Sequence, residues 1–304
     1  MKRITVAVGI SVAAVSLSIP ARTVPPPRPK ITGIDCVRIY VSDLDASRKF
    51  YGQSLGLHDQ TASCVNASNA CFSINAEQEI TLLLAPSEPA PTDLIAQIVF
   101  ATDDADYMRR YLRASGPTPD PLSKDKNSIH FDLRDREDKR IGFISRRHSS
   151  PWKPDGNQVG TRLIHAGFVV HNRLKQNLLY KDLLGFRVYW HGGMKEGDDN
   201  WVDMQVPDGT DWIEYMLKVP ENATHKQLGV MNHIALGVPD IQAAKEQLIK
   251  NGWKGTEEPK IGRDGKWQLN LYDPDETRVE LMEFKPTNEP CCSAYTGPHP
   301  GPPQ

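Results

Sequence analysis

The run MNHIALGVPDIQAAKEQL, Met231 to Leu248, and its continuation WQLNLYDPDETRVELMEF, Trp267 to Phe284, decide the fold. The first stretch opens as an apolar strand carrying His233, then passes through Asp240 into a segment whose apolar residues, Ile241, Ala244 and Leu248, recur at helical spacing. Asp240 is a helix N-cap residue, and Gly252 suits the left-handed position that ends a helix. The second stretch reads as two strands around the turn DPDET, the last of them carrying Glu280. One strand, one helix and a run of strands thus form a module with a metal-ligand type at each end.

Moving outward, the same unit is legible four times, and the repeat is the strongest architectural signal in the chain. The opening strands are ITGIDCVRIYV, LIAQIVFA, RLIHAGFVV and MNHIALGV. Ser42 or Asp43, Asp103 or Asp104, Asn172 and Asp240 supply the helix starts, and Gly56, Gly116, Gly185 and Gly252 the stops. Short alternating segments follow each glycine, such as FRVYW, WVDMQV and WIEYML in the third unit. The expectation is an α+β protein of four βαβββ modules in two domains, 31–148 and 161–286, joined by a linker over 149–160 and followed by a Pro-rich tail over 287–304.

Residues 1–21 stand apart: Lys2 and Arg3 precede an apolar run from Ile4 to about Leu17, with small residues at Ser18 and Ala21, the layout of a secretory signal peptide. The run is short for a membrane span, so an exported, periplasmic or secreted protein without stable membrane insertion is expected. Formal net charge is −2, with 36 basic and 38 acidic side chains, which offers nucleic acid no general attraction and makes a small molecule the expected partner. Monomer and homodimer both stay open. Of five cysteines, Cys64 and Cys71 flank a polar loop that a disulfide could close, and Cys36 reads as a buried thiol. Cys291 and Cys292 are candidates for pairing the tail to the body, with metal binding the weaker expectation.

The helix-stop glycines form an internal ruler. His165 lies 20 residues before Gly185, His233 lies 19 before Gly252, Cys36 lies 20 before Gly56 and Gln97 lies 19 before Gly116. These four positions are therefore equivalent, and only the second half fills them with histidines. Glu214 and Glu280 follow on the last strands of their modules, whereas the corresponding first-half positions are placed at Ala85 and Gly142, neither a carboxylate. A metal site of His165, Glu214, His233 and Glu280 is expected in the second half and none in the first. Two imidazoles and two carboxylates suit a six-coordinate divalent ion: zinc, nickel, manganese or iron(II). His171, His191 and His299 read as surface residues.

The pattern resembles the vicinal oxygen chelate superfamily, which includes glyoxalase I, bleomycin-resistance proteins and extradiol dioxygenases. VSDLDASRKFYGQSLGL, LLYKDLLGF and LYDPDETRVEL carry the resemblance over nearly all of the chain after the leader. It implies paired modules forming a cupped sheet around a metal; within one chain the first module can pair with the second or with the fourth, and in the latter case Cys36 would face His233. The reading preferred from sequence is a glyoxalase-type lyase or isomerase, in which the metal polarises an oxygen while Glu280, with Glu214 opposite, moves a proton. The arginine and asparagine of glutathione-using members are replaced by Val169 and Lys218, which points away from a glutathione adduct. The alternative is an iron(II) ring-cleaving dioxygenase using His165, His233 and Glu280. Its usual tyrosine position is Asn270, Glu276 replaces its glycine, and IGRDGKW contains no histidine. A third possibility is a non-catalytic binder. Trp201 and Trp212, with Trp190, Tyr215 and Phe168, could line the cup, and Arg263 or Lys266 could meet an anionic substrate.

Overall fold

The computed structural model describes residue 2 and residues 27–303, except 65, 67, 89, 148–151 and 153–155. The expected leader, apart from Lys2, and part of the expected linker lie outside the described residues. Four units follow in order. The first is β1 (Ile31–Val41), α1 (Leu44–Arg48, continued by a π-helical turn through Lys49–Ser54), β2 (His58–Asp59), β3 (Ala70–Ser73) and β4 (Glu79–Leu84). The second is β5 (Ile95–Thr102), α2 (Ala105–Ala114), β6 (Ser123–Lys124), β7 (Ser128–Arg134) and β8 (Arg140–Arg146). The third is β9 (Arg162–Val169), α3 (Arg173–Tyr180), β10 (Arg187–Gly192), β11 (Trp201–Gln205) and β12 (Trp212–Met216). A connecting helix, α4 (His225–Met231), leads to β13 (His233–Val238), α5 (Ile241–Lys250), β14 (Lys260–Ile261), β15 (Trp267–Tyr272) and β16 (Arg278–Glu283).

The punctuation works as the residue types dictate. Asp43, Asp104, Asn172 and Asp240 each accept hydrogen bonds from first-turn amides of their helices. Gly56, Gly116, Gly185 and Gly252 all take positive φ, between +66° and +111°, which side chains disfavour. Helix α4 was not read from the sequence, although Thr224 and Gln227 form a reciprocal capping box at its start.

Two eight-stranded sheets result, ordered β2-β3-β4-β1-β5-β8-β7-β6 and β10-β11-β12-β9-β13-β16-β15-β14. Each module pairs its first strand with its last in parallel, and two modules join through antiparallel first strands, β1 with β5 and β9 with β13. Modules therefore pair first with second and third with fourth; the first-with-fourth arrangement does not occur. The two sheets lock through matched contacts: Tyr51 of the first module donates to Asp273 of the fourth at 3.0 Å, and Tyr180 of the third donates to Asp135 of the second at 3.0 Å. The large shared core holds Phe168 and Tyr215, so these two turn away from the cup, contrary to the sequence expectation. Strand alternation is the reason: their neighbours Gly167 and Glu214 face the other way.

Cys64 and Cys71 form a disulfide, and Cys36 is a buried free thiol whose pKa burial pushes up to about 12. Cys291 and Cys292 pair with each other instead of with the body. Among the described residues no helix is long and apolar enough to cross a membrane.

Candidate metal centre

Two lateral rows across the second sheet build the site. Strand register aligns Asp203, Glu214, Gly167, His233 and Arg278 in one row, and Gln205, Trp212, His165, Ala235, Glu280 and Asn270 in the next. All side chains of these rows that line the cup rise from one face, because side-chain direction alternates along each strand. The centre of each row is a small residue, Gly167 or Ala235, which leaves room for the imidazole and carboxylate beside it. A β-carbon at Gly167 would collide with Cε1 and Nδ1 of His233.

The four donors converge. Nε2 of His165 and of His233 are 3.0 Å apart, and Glu214 Oε2 stands 3.6 and 3.0 Å from them. Glu280 Oε2 lies 3.7 and 3.8 Å from the same two nitrogens. Despite these distances the pairs are not ion pairs, since burial holds both imidazoles well below their usual pKa and neutral at pH 7. His233 Nδ1 donates to the Met231 carbonyl at 2.8 Å, which leaves its Nε2 lone pair aimed at the cluster. His165 Nδ1 has no partner; its ring is held by Trp212, whose centroid is 4.8 Å away. Burial raises Glu214 and Glu280 to about 7, the neighbouring Glu214 charge contributing to the rise at Glu280.

Neutral imidazoles, carboxyls burdened by burial and an unpartnered Glu280 Oε1 form a donor set that a divalent cation would satisfy. The atoms of His165, Glu214 and His233 fall within 4.8 Å of one another, and Glu280 closes the set from β16.

A cavity of about 420 Å³ opens onto His165, Glu214 and Glu280, with His233 buried behind them. Trp190, Trp201, Trp212 and Arg263 line it, as do Arg278 and Asn270, whose part sequence reading missed. Lys266 does not line it. The lysine is fully buried beneath the wall, its Nζ 4.5, 5.3 and 5.2 Å from the Trp212, Tyr189 and Tyr295 rings, and burial lowers its pKa. It therefore cannot meet a substrate anion.

The tail packs against residues of the wall. Thr296 donates from its backbone to Tyr189 of edge strand β10, Trp190 donates to the Cys291 carbonyl, and Tyr295 donates to the Asp264 carbonyl near the opposite edge. The tail thus bridges the two edges of the sheet. His299 is drawn into this wall by a bond with Tyr189 and is not a free surface residue. His171 is exposed, and His191 bonds Asp199 at 3.1 Å.

The first sheet has the same two rows with different contents: Cys71, Thr81, Arg38, Gln97 and Arg140 in one, and Ser73, Glu79, Cys36, Val99, Gly142 and Asp132 in the other. Gly142 is the counterpart of Glu280. The counterpart of Glu214 is Thr81, not Ala85, because the first module needs 45 residues from Cys36 where the third needs 49 from His165. Arg38 stands where the second sheet has Gly167, and its guanidinium donates to Gln97 at 2.8 Å. The space that holds donors in one sheet is filled by an arginine in the other.

Glyoxalase/Bleomycin resistance protein/Dioxygenase superfamily sequences match over residues 33–159 and 178–281. The chain belongs to this superfamily. Among solved structures it is similar to a mutant of homoprotocatechuate 2,3-dioxygenase from Brevibacterium fuscum, with TM-score 0.64, 19% identity, and coverage of 85% of this chain and 73% of that one. An anaerobic complex of the Brevibacterium fuscum enzyme with 3,4-dihydroxyphenylacetate gives 0.63 at 20% identity, covering 90% and 85%. The Arthrobacter globiformis enzyme gives 0.62 at 18%, covering 88% and 84%. No curated protein sequence matches the chain. At these identities the superfamily fold is what is shared.

Proposed function

We propose that the second sheet holds a divalent metal and acts on a small oxygen-bearing substrate in its cup. The convergence of His165, His233, Glu214 and Glu280 at the floor of a tryptophan-lined cavity carries this reading. The bound ion would supply polarisation of substrate oxygens. The protein's part is to aim the lone pairs, exclude water with Trp190, Trp201 and Trp212, and keep a carboxyl within reach of a proton.

Within that class we place ring opening of a dihydroxyaromatic first, with iron(II) as the ion. This reverses the order preferred from the sequence. The chain shares its fold with homoprotocatechuate 2,3-dioxygenases over most of both lengths, and flat aromatic walls suit a ring. His165, His233 and Glu280 would be the holding triad. Glu214, raised to about 7 by burial, would be the acid and base that the sequence lacked at Asn270. Proton transfer of the glyoxalase type is the second reading, favoured by one observation: Glu214 Oε2 stands 3.0 Å from His233 Nε2, as close as a further ligand would.

Elemental analysis, together with oxygen uptake on catechols including 3,4-dihydroxyphenylacetate, tests the choice. Iron with oxygen uptake is expected. Glu214→Ala should keep the metal and lose turnover, whereas loss of the metal from that variant favours the four-ligand, proton-transferring site. A folded wild-type protein that never takes up metal sinks both and leaves a binder. We also propose export, consistent with the Cys64–Cys71 disulfide. Amino-terminal sequencing of protein from fractionated cells tests it: a start near residue 22 outside the cytoplasm is expected, and an intact Met1 in the cytosol refutes it.

A further inference from the structure

We infer that Arg278 is a recognition site for a carboxylate on the substrate, set beside the metal donors, and that Asn270 is what keeps this site open. The inference rests on the metal-site reading above and adds the class of substrate.

Arg278 lines the cavity two residues before Glu280 on β16, in the row that carries His233. Its Nε is buried and has no hydrogen-bond partner, and no carboxylate among the described residues forms an ion pair with it. The Glu214 and Glu280 carboxylates feel its charge but neither pairs with it, so its donors inside the cavity wall are free for a ligand. Arg263, the other cavity-lining arginine, is already engaged, donating to the Gly193 carbonyl at 3.2 Å and to Cys291 Sγ at 2.7 Å. Lys266 is sealed under aromatic rings.

The internal repeat shows what belongs opposite Arg278. Register makes Arg140 its counterpart in the first sheet, since Val99–Gly142 and Ala235–Glu280 are equivalent pairs and each arginine stands two residues before the second member. Asn270 is likewise equivalent to Asp132: one adjoins Glu280, the other Gly142. In the first sheet this pair is closed internally, Arg140 donating to Asp132 Oδ2 from Nη2 at 2.7 Å and from Nε at 3.2 Å. In the second sheet the carboxylate is replaced by a neutral amide. The Asn270 Oδ1 is buried without a partner, as is the Nε of Arg278 on the adjacent strand. A ligand carboxylate fits the place that the Asp132 carboxylate takes in the first sheet. Its charge and planar pair of oxygens match the guanidinium fork, and its carbon skeleton would run toward the metal donors.

Two probes that chelate a divalent ion through vicinal hydroxyls, 3,4-dihydroxyphenylacetate and 4-ethylcatechol, differ at the end of the side chain by the carboxylate. Their dissociation constants are measured by anaerobic calorimetry on the full chain loaded with iron(II), with metal content assayed in the same preparation. The wild type is expected to bind the carboxylate roughly ten- to a hundredfold more tightly than the neutral probe, the worth of a hydrogen bond to a charged group. R278Q should erase that preference with its metal content and 4-ethylcatechol affinity retained. R278K should keep part of it, and N270D, which restores the internal carboxylate, should abolish it. Equal affinities in a metal-loaded wild type, including no binding of either probe, overturn this inference alone, as does an unchanged preference in R278Q. A wild type that takes up no metal overturns the metal reading and this inference with it.

Discussion

Gly167 faces His233 directly across the β9–β13 pairing, and the imidazole occupies the volume where any β-carbon at position 167 would be. The same glycine adjoins Glu214 on its other side, so one absent side chain makes room for two donors.

Gly167→Ala should therefore displace His233 without breaking the sheet. Metal affinity is expected to fall on the order of 10- to 100-fold, the range for groups that orient a ligand. Competition titration with a chromophoric chelator measures it, and an unchanged affinity would mean that the imidazole has other room.

Trp212 takes over for His165 the part that the Met231 carbonyl plays for His233. Trp212→Leu should weaken metal binding about tenfold, in line with the loss of an orienting contact. Trp201 lines the cavity from β11 and is not paired with a donor, so Trp201→Leu should leave metal binding intact and weaken only substrate binding.

Asp273, a buried acceptor for Tyr51, has its pKa raised by burial from 3.8 to about 6. Its contribution is fully present below about pH 4, where native and unfolded chains both hold the proton, and is lost as pH rises toward 6 and only the unfolded chain ionises freely. That window is worth about 3 kcal/mol at 1.36 kcal/mol per unit. Asp273→Asn should flatten the fall in Tm between pH 4 and 6 while keeping an acceptor for Tyr51. A Tm of the wild type that gains on that of Asp273→Asn as pH rises across this range would contradict the sign.

Truncation after residue 286 removes Tyr295 and the strap that joins the sheet edges at Tyr189 and Asp264. The truncated protein should still bind metal, because no donor is lost. Its Lys266 should become reactive to amine-modifying reagents, which peptide mass mapping reads; a lysine that stays protected would mean the rings alone seal it.

The repeat, helix caps and stops were legible in the sequence because they are local: a carboxylate that caps four amides and a glycine at positive φ depend on a few neighbours. The same ruler located His165 and His233, and structural register agrees with it at Cys36 and Gln97. It failed at Ala85, where loop lengths between strands differ and spacing no longer reports register. Lys266, Phe168 and Tyr215 were misread as cup residues because residue type does not say which side of a cup wall a side chain occupies. Helix α4 was missed although its capping box was in plain view.

By itself, then, the sequence determined an α+β chain of four βαβββ modules with two histidines at matched positions. Only the tertiary structure decided which modules share a sheet, which residues stand side by side across strands, and that an amide takes the place beside Arg278 that a carboxylate takes beside its counterpart Arg140. Backbone punctuation is written in short-range preferences. A site is written in lateral neighbours from separate strands, which exist only once the sheet has formed.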